Sequence, residues 1–172
     1  ITLLIPIHLS VAALGMMKVL RHLGKSKFSQ ILGAMVFVFS GYILTRLSFI
    51  SMVWTFAWIP WVFFTTLRIK KVSVAGSFRA ILSLAIVLTM QILAGHAQTT
   101  FYTLLVGIFV VIFHDFKKIS TQILKLASLF ISLLISMLFS AIQILPTFEF
   151  LQNSQRSAEV GYDLAMSSSL WP

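Results

Sequence analysis

Polar chemistry in this apolar chain collects at a few places. Arg46 stands alone between two hydrophobic runs, and Gly95-His96-Ala97-Gln98 forms a tight polar turn. A third group runs from Gln143 through Pro146, Thr147 and Glu149 to Gln155, Arg156, Glu159, Tyr162 and Asp163. An imidazole titrates near neutrality, a guanidinium grips a phosphate in a planar fork, and a carboxylate takes a proton from a hydroxyl. Each residue also has a plainer reading. His96 caps helix ends at an interface, and Glu149 is a solvated acid after an apolar run. Arg156 is a loop cation or a phosphate contact, and Arg46 snorkels from a helix end. His8 reads as a hydrogen-bonded residue of a bundle; His22 and His114 receive no role. There is no phosphate loop, no paired-histidine zinc motif and no nucleophile elbow. Four scattered His without Cys give no metal-ligand spacing, so no cofactor is expected and use of a divalent metal is left open.

The elements that must position these groups follow from charge and hydropathy. Eleven of the thirteen Lys and Arg residues fall in three clusters. These are Lys18, Arg21, Lys25 and Lys27; then Arg68, Lys70, Lys71 and Arg79; then Lys117, Lys118 and Lys125. Long apolar runs separate them, the pattern of a multi-pass membrane protein with cationic cytoplasmic loops. A span needs about 20 apolar residues. Six runs qualify, near residues 1–20, 28–45, 52–67, 78–94, 99–114 and 126–148. The expectation is an all-α polytopic transmembrane bundle of about six spans, residues 1–148, with both ends on the outer face. Residues 149–172 begin an outer segment. Pro60 inside the third run predicts a kink or a re-entrant shape. Arg46, Gly95–Gln98 and the stretch after Phe148 then share the outer boundary, where a reaction centre is best placed.

Composition supports this. Hydrophobic residues make up 59% of the chain and charged residues 10%, with mean hydropathy +1.00. A soluble domain carries about 25% charge. The net charge of +9 therefore reads as loop punctuation near anionic headgroups, and no nucleic-acid partner is expected. Cysteine is absent, which excludes disulfides. The chain opens inside an apolar run without Met and reads as an internal fragment of a longer protein. Ser128, Ser132, Ser136 and Ser140 recur every four residues, a stripe expected to be a packing seam rather than a substrate path. Trp54, Trp58 and Trp61 share one helix face, where Trp58 and Trp61 are expected to pack.

Several blocks in order carry a family resemblance. They are Leu23-Gly24 through Phe39-Ser40-Gly41-Tyr42, Trp58-Ile59-Pro60-Trp61, and Leu93-Ala94-Gly95-His96-Ala97-Gln98. Gln143-Ile144-Leu145-Pro146-Thr147-Phe148-Glu149, Ser154-Gln155-Arg156-Ser157 and Gly161-Tyr162 follow. Together the chain resembles the YfhO family of bacterial membrane proteins. The resemblance implies a GT-C-type glycosyltransferase of the bacterial plasma membrane. It implies a sugar taken from a polyprenyl-phosphate donor and passed to a cell-surface polymer such as lipoteichoic acid. In such enzymes the catalytic acid usually lies in the first outer loop, which is expected upstream of Ile1. The residues expected to meet substrate are Arg46, His96, Gln98, Arg156 and Tyr162, with Arg46, His96 and Arg156 at the donor phosphate. Glu149 is the secondary catalytic candidate or an orienting partner for Arg156.

Two other readings stand beside this one. A transporter or flippase for a lipid-linked or polar solute would use the hydroxyl stripe and broken helices. A non-catalytic scaffold would leave the outer rim solvated.

Overall fold

The computed structural model describes residues 3–69, 74–114 and 119–153. Among them every regular element is a helix. The helices are α1 (Leu4–His22), α2 (Lys27–Val38), α3 (Gly41–Thr45), α4 (Ile50–Leu67), α5 (Val74–Leu93), α6 (Ala97–His114), α7 (Ile119–Phe139) and α8 (Ala141–Gln152). Among the described residues four stretches are long and apolar enough to cross a membrane: Leu4–His22, Lys27–Thr45, Ile50–Leu67 and Gln122–Phe139. The apolar portions Phe78–Leu93 and Ala97–Phe113 are shorter. An all-α membrane helix bundle is therefore the architecture. Its outward faces stay apolar, with Phe28 75% and Leu138 76% exposed, and water would not tolerate so continuous a surface.

The chain divides into two compact units, Ile1–Phe139 and Ser140–Pro172. The first holds α1 to α7. Its contacts α1·α4, α1·α2, α5·α7 and α4·α5 dominate the packing. The α1·α4 contact is built from chemistry visible residue by residue. His8 stacks on Trp54, ring centres 5.0 Å apart, and the Trp61 indole donates to the Val11 carbonyl at 2.8 Å. Farther along, Lys18 lies over Trp61 and His22 meets Phe64. Rising numbers pair with rising numbers, so α1 and α4 run parallel. Gly15 makes the approach possible: a Cβ there would stand 2.7 Å from the Trp61 ring. Trp58 and Trp61 thus pack, as expected. His8 donates through Nδ1 to the Leu4 carbonyl at 2.8 Å, a hydrogen-bonded bundle residue.

A second core joins Val62 of α4 to Leu84, Val87 and Leu88 of α5 and Leu129 of α7. The hydroxyl stripe lies in this layer. Ser128, Ser132 and Ser136 are buried, and Ser132 donates to the Ile81 carbonyl of α5 at 3.0 Å. Small hydroxyl side chains let α5 and α7 approach closely, which makes the stripe a seam.

Three local outcomes differ from a hydropathy profile. The run 28–45 is interrupted at Phe39–Ser40, where Ser40 adopts φ −62°, ψ 148° and starts the short α3. The run 126–148 is not one helix. Ser140 leaves helical geometry at φ −93°, ψ 6°, and α8 begins after it. The division between the two compact units falls at the same place. Summed hydropathy does not register a one-residue break. Neither proline ends its helix: α8 continues through Pro146, and α4 continues through the buried Pro60.

Candidate functional site

A cavity of about 550 Å³ opens within the first unit between α4, α6 and the α2–α3 corner. The two long walls run in the same direction. α5 returns antiparallel to α4, since Gln91 near its end reaches Thr55 near the start of α4. α6 reverses once more, so α4 and α6 descend together. Met52, Phe56, Ile59 and Phe63 line one wall, and Thr99, Tyr102, Thr103 and Val106 line the other. Both series keep the three- and four-residue spacing of a single helix face. At about 1.5 Å per residue the α4 series spans roughly 16 Å.

One end of this slot is polar. Arg46, His96 and Gln98 stand there, three of the five residues expected to meet substrate. Arg46 follows α3, whose five residues turn the chain so that Tyr42 and Arg46 both reach the cavity. The Arg46 side chain is exposed, and its guanidinium lies 5.8 Å from the Phe49 ring centre. The described carboxylate of the chain is Glu149, in the second unit, so no described acid in the first unit neutralises Arg46.

His96 is placed by the turn between α5 and α6. Gly95 takes φ 86°, a left-handed value that suits glycine and closes α5 through its N–H to the Ile92 carbonyl. His96 then caps α6. Its Nδ1 accepts from the Thr99 backbone N–H at 3.2 Å and lies 2.7 Å from the Thr99 hydroxyl. A backbone N–H only donates, so Nδ1 is the acceptor. The proton of the neutral ring therefore sits on Nε2, which is left as a hydrogen-bond donor. Capping thus uses one nitrogen of the ring and leaves the other unused by the cap. Gln98 donates to the Tyr102 hydroxyl at 3.0 Å, four residues along the same helix.

The rest of the slot is aromatic and apolar. Phe56 is stacked between Phe37, at 4.5 Å, and Tyr42, at 5.6 Å. Phe63 and Val106 close the far end. Behind the α6 wall, fully buried Gln91 donates to Thr103 Oγ1 at 2.9 Å and toward the Thr55 carbonyl at 3.3 Å. Thr103 in turn donates to the Thr99 carbonyl at 2.8 Å. This chain of bonds ties α4, α5 and α6 together behind the site.

Arg156 and Tyr162 lie outside the described residues. Glu149 is exposed on α8, in the second unit, where its carbonyl accepts from Asn153. Sequence reasoning missed Tyr42, Thr99, Tyr102, Thr103 and the supporting Gln91. The descending pairs 52-56-59-63 and 99-102-103-106 were the available signal, visible only once α4 and α6 are known to be parallel neighbours. Among the described residues no three His, Cys, Asp or Glu side chains gather as metal ligands.

No curated protein and no solved structure matches the chain. A family does: that described as alpha-(1->3)-arabinofuranosyltransferase, N-terminal GT-C domain, which matches residues 3–147. The match extends from the first turn of α1 into α8 and includes every residue lining the cavity. The helical, apolar bundle agrees with a multi-pass membrane glycosyltransferase of the GT-C type, and this chain belongs to that alpha-(1->3)-arabinofuranosyltransferase N-terminal GT-C family.

Proposed function

We propose that the protein transfers a sugar from a polyprenyl-phosphate donor to a cell-surface glycan, and that the slot between α4 and α6 receives the donor. The carrying observation is the slot's division into two chemistries. Arg46, His96 Nε2–H and Gln98 offer donors at one end, and Phe37, Phe56, Ile59 and Phe63 offer a lipid-compatible wall along the rest. A phosphate bearing a sugar fits the first, and the first isoprenoid units fit the second. Family membership supports an arabinofuranosyl donor. The sequence blocks that resemble the YfhO family share the GT-C class with it, and on that reading the acceptor is a bacterial envelope polymer such as lipoteichoic acid.

In the reaction the bond between the sugar anomeric carbon and the phosphate oxygen breaks, and the electron pair leaves with the phosphate. The acceptor hydroxyl oxygen bonds that carbon and gives up its proton to a base. The slot holds fixed donors and no described carboxylate, so its residues suit the departing phosphate and not the deprotonation. Donors aimed at charge that grows during reaction stabilise the transition state more than the ground state. Arg156 and Tyr162 are proposed as further substrate contacts, and Glu149 as a secondary acid or an orienting partner for Arg156.

The polar end faces the outer surface on this reading. Lys18, Arg21, Lys25, Lys27 and Arg68 belong to the opposite end of α1 and α4, and cationic connectors stay cytoplasmic. The transport alternative loses its motivating feature, because the hydroxyl stripe is packed against α5.

Arg46→Ala in the full-length protein tests the assignment. Loss of one preorganised donor lowers transfer by about a hundred-fold at limiting donor, and Arg46→Lys recovers only part because it lacks the planar fork. Undiminished transfer by Arg46→Ala would remove the slot from the donor's phosphate.

A further inference from the structure

The end of α4 remote from the slot carries a concentration of charge that the transfer reaction does not use. Parallel α1 and α4 bring their C-termini together there. Lys18 Nζ stands 5.2 Å from the Trp61 ring centre and 5.7 Å from that of Phe64. The Arg68 guanidinium stands 5.4 Å from the same Phe64 ring, and His22 meets that ring edge-on at 6.1 Å.

The aromatic floor is rigid. Trp61 and Phe64 sit edge to face at 6.4 Å. Trp61 is held by its bond to the Val11 carbonyl and by the close approach of Gly15. Two cations therefore share one fixed ring, within a distance of the order of the Debye length, about 10 Å. Helix C-terminal dipoles attract both only weakly at an exposed position. They do not satisfy the donors. Lys18 has three N–H groups and Arg68 five, and among the described residues neither side chain makes a hydrogen bond or an ion pair. The rings hold the cations in place and leave those donors free for an anion.

We propose that Lys18 and Arg68, on the Trp61–Phe64 floor at the shared end of α1 and α4, bind the phosphate of an anionic lipid headgroup. Phosphate oxygens supply the acceptors that the two cations lack. The surrounding exposed apolar faces of the bundle place the site at a bilayer surface, where such headgroups are concentrated. The rings already carry cations, so a choline group meets like charge where it would otherwise find an aromatic face. The site therefore favours phosphatidylglycerol over phosphatidylcholine.

Native mass spectrometry of the full chain, released from bilayers of equal phosphatidylglycerol and phosphatidylcholine, tests this. The chain should retain phosphatidylglycerol preferentially. Each cation near a membrane surface contributes about five-fold, so Lys18→Gln with Arg68→Gln lowers the preference roughly twenty-five-fold, and either change alone about five-fold. Lys18→Arg with Arg68→Lys keeps the charge and should keep the preference, which controls for misfolding. Equal retention of the two lipids by the unmodified chain overturns the proposal, as does an unchanged preference in the double Gln variant. Retention that survives excess inorganic phosphate supports a headgroup as occupant. Displacement of the lipid by inorganic phosphate overturns the lipid assignment in favour of a free phosphate ester.

Discussion

His96 offers two nitrogens with two jobs, and a pair of substitutions separates them. Nδ1 caps α6 through the Thr99 N–H at 3.2 Å, while Nε2–H is assigned to the donor phosphate. Asn places a carbonyl oxygen where Nδ1 stands and is among the best capping residues. It has nothing at the reach of Nε2. Gln reaches as far as Nε2 but caps poorly. His96→Asn should therefore keep the helix start and lose the phosphate bond. A hydrogen bond to a charged group contributes about 1.5–3 kcal/mol, so transfer at limiting donor should fall roughly ten- to hundred-fold. His96→Gln should lose about 1 kcal/mol of capping, which is a factor of about five in opening of the first turn. It should keep much of the transfer. Hydrogen–deuterium exchange of the amides at Thr99 and Thr100 reads the cap, and sugar transfer by the full-length protein reads the contact. His96→Asn with full transfer would refute the reasoning and leave His96 as a cap alone.

Two further predictions concern packing. Gly15→Ala sets a Cβ 2.7 Å from the Trp61 indole and should destabilise the α1·α4 contact by about 1–3 kcal/mol, measured by unfolding in detergent; a neutral effect would mean that the helices part without cost. Gln91→Met should stay within about 1 kcal/mol of the natural protein, because membrane-buried hydrogen bonds contribute about 0.6 kcal/mol on average and the change also removes a buried Oε1 that has no partner. A loss several times larger would show that this oxygen is satisfied by bound water.

The legible parts of this molecule were those where composition departs from its surroundings. Arg46, His96 and Gln98 stand out because polar groups interrupt apolar runs, and the structure brings these three to one cavity end. The every-fourth-residue serines read as a seam for the same reason that they form one, since small residues on one stripe permit close backbones. Tyr42, Tyr102 and Thr103 were illegible because a helix face becomes a cavity wall only through its neighbour. Gln91 was illegible because a single amide in an apolar helix has no period. The breaks at Ser40 and Ser140 escaped because serine is common within membrane helices, and the departure of one ψ angle from its helical value leaves no mark on hydropathy. His96 shows a different limit. The plain reading is the one that the hydrogen bonds carry, and because the cap takes a single nitrogen the proposed contact does not compete with it.

Pro60 keeps α4 intact while withholding one amide. The Phe56 carbonyl, at the height of the cavity's aromatic wall, has no donor four residues on. Whatever satisfies that oxygen is hydrogen-bonded to backbone and is insensitive to the identity of the side chains around it. Diversification of the wall can reshape the slot for other lipids or sugars, but this acceptor persists through every such change until the proline itself is replaced.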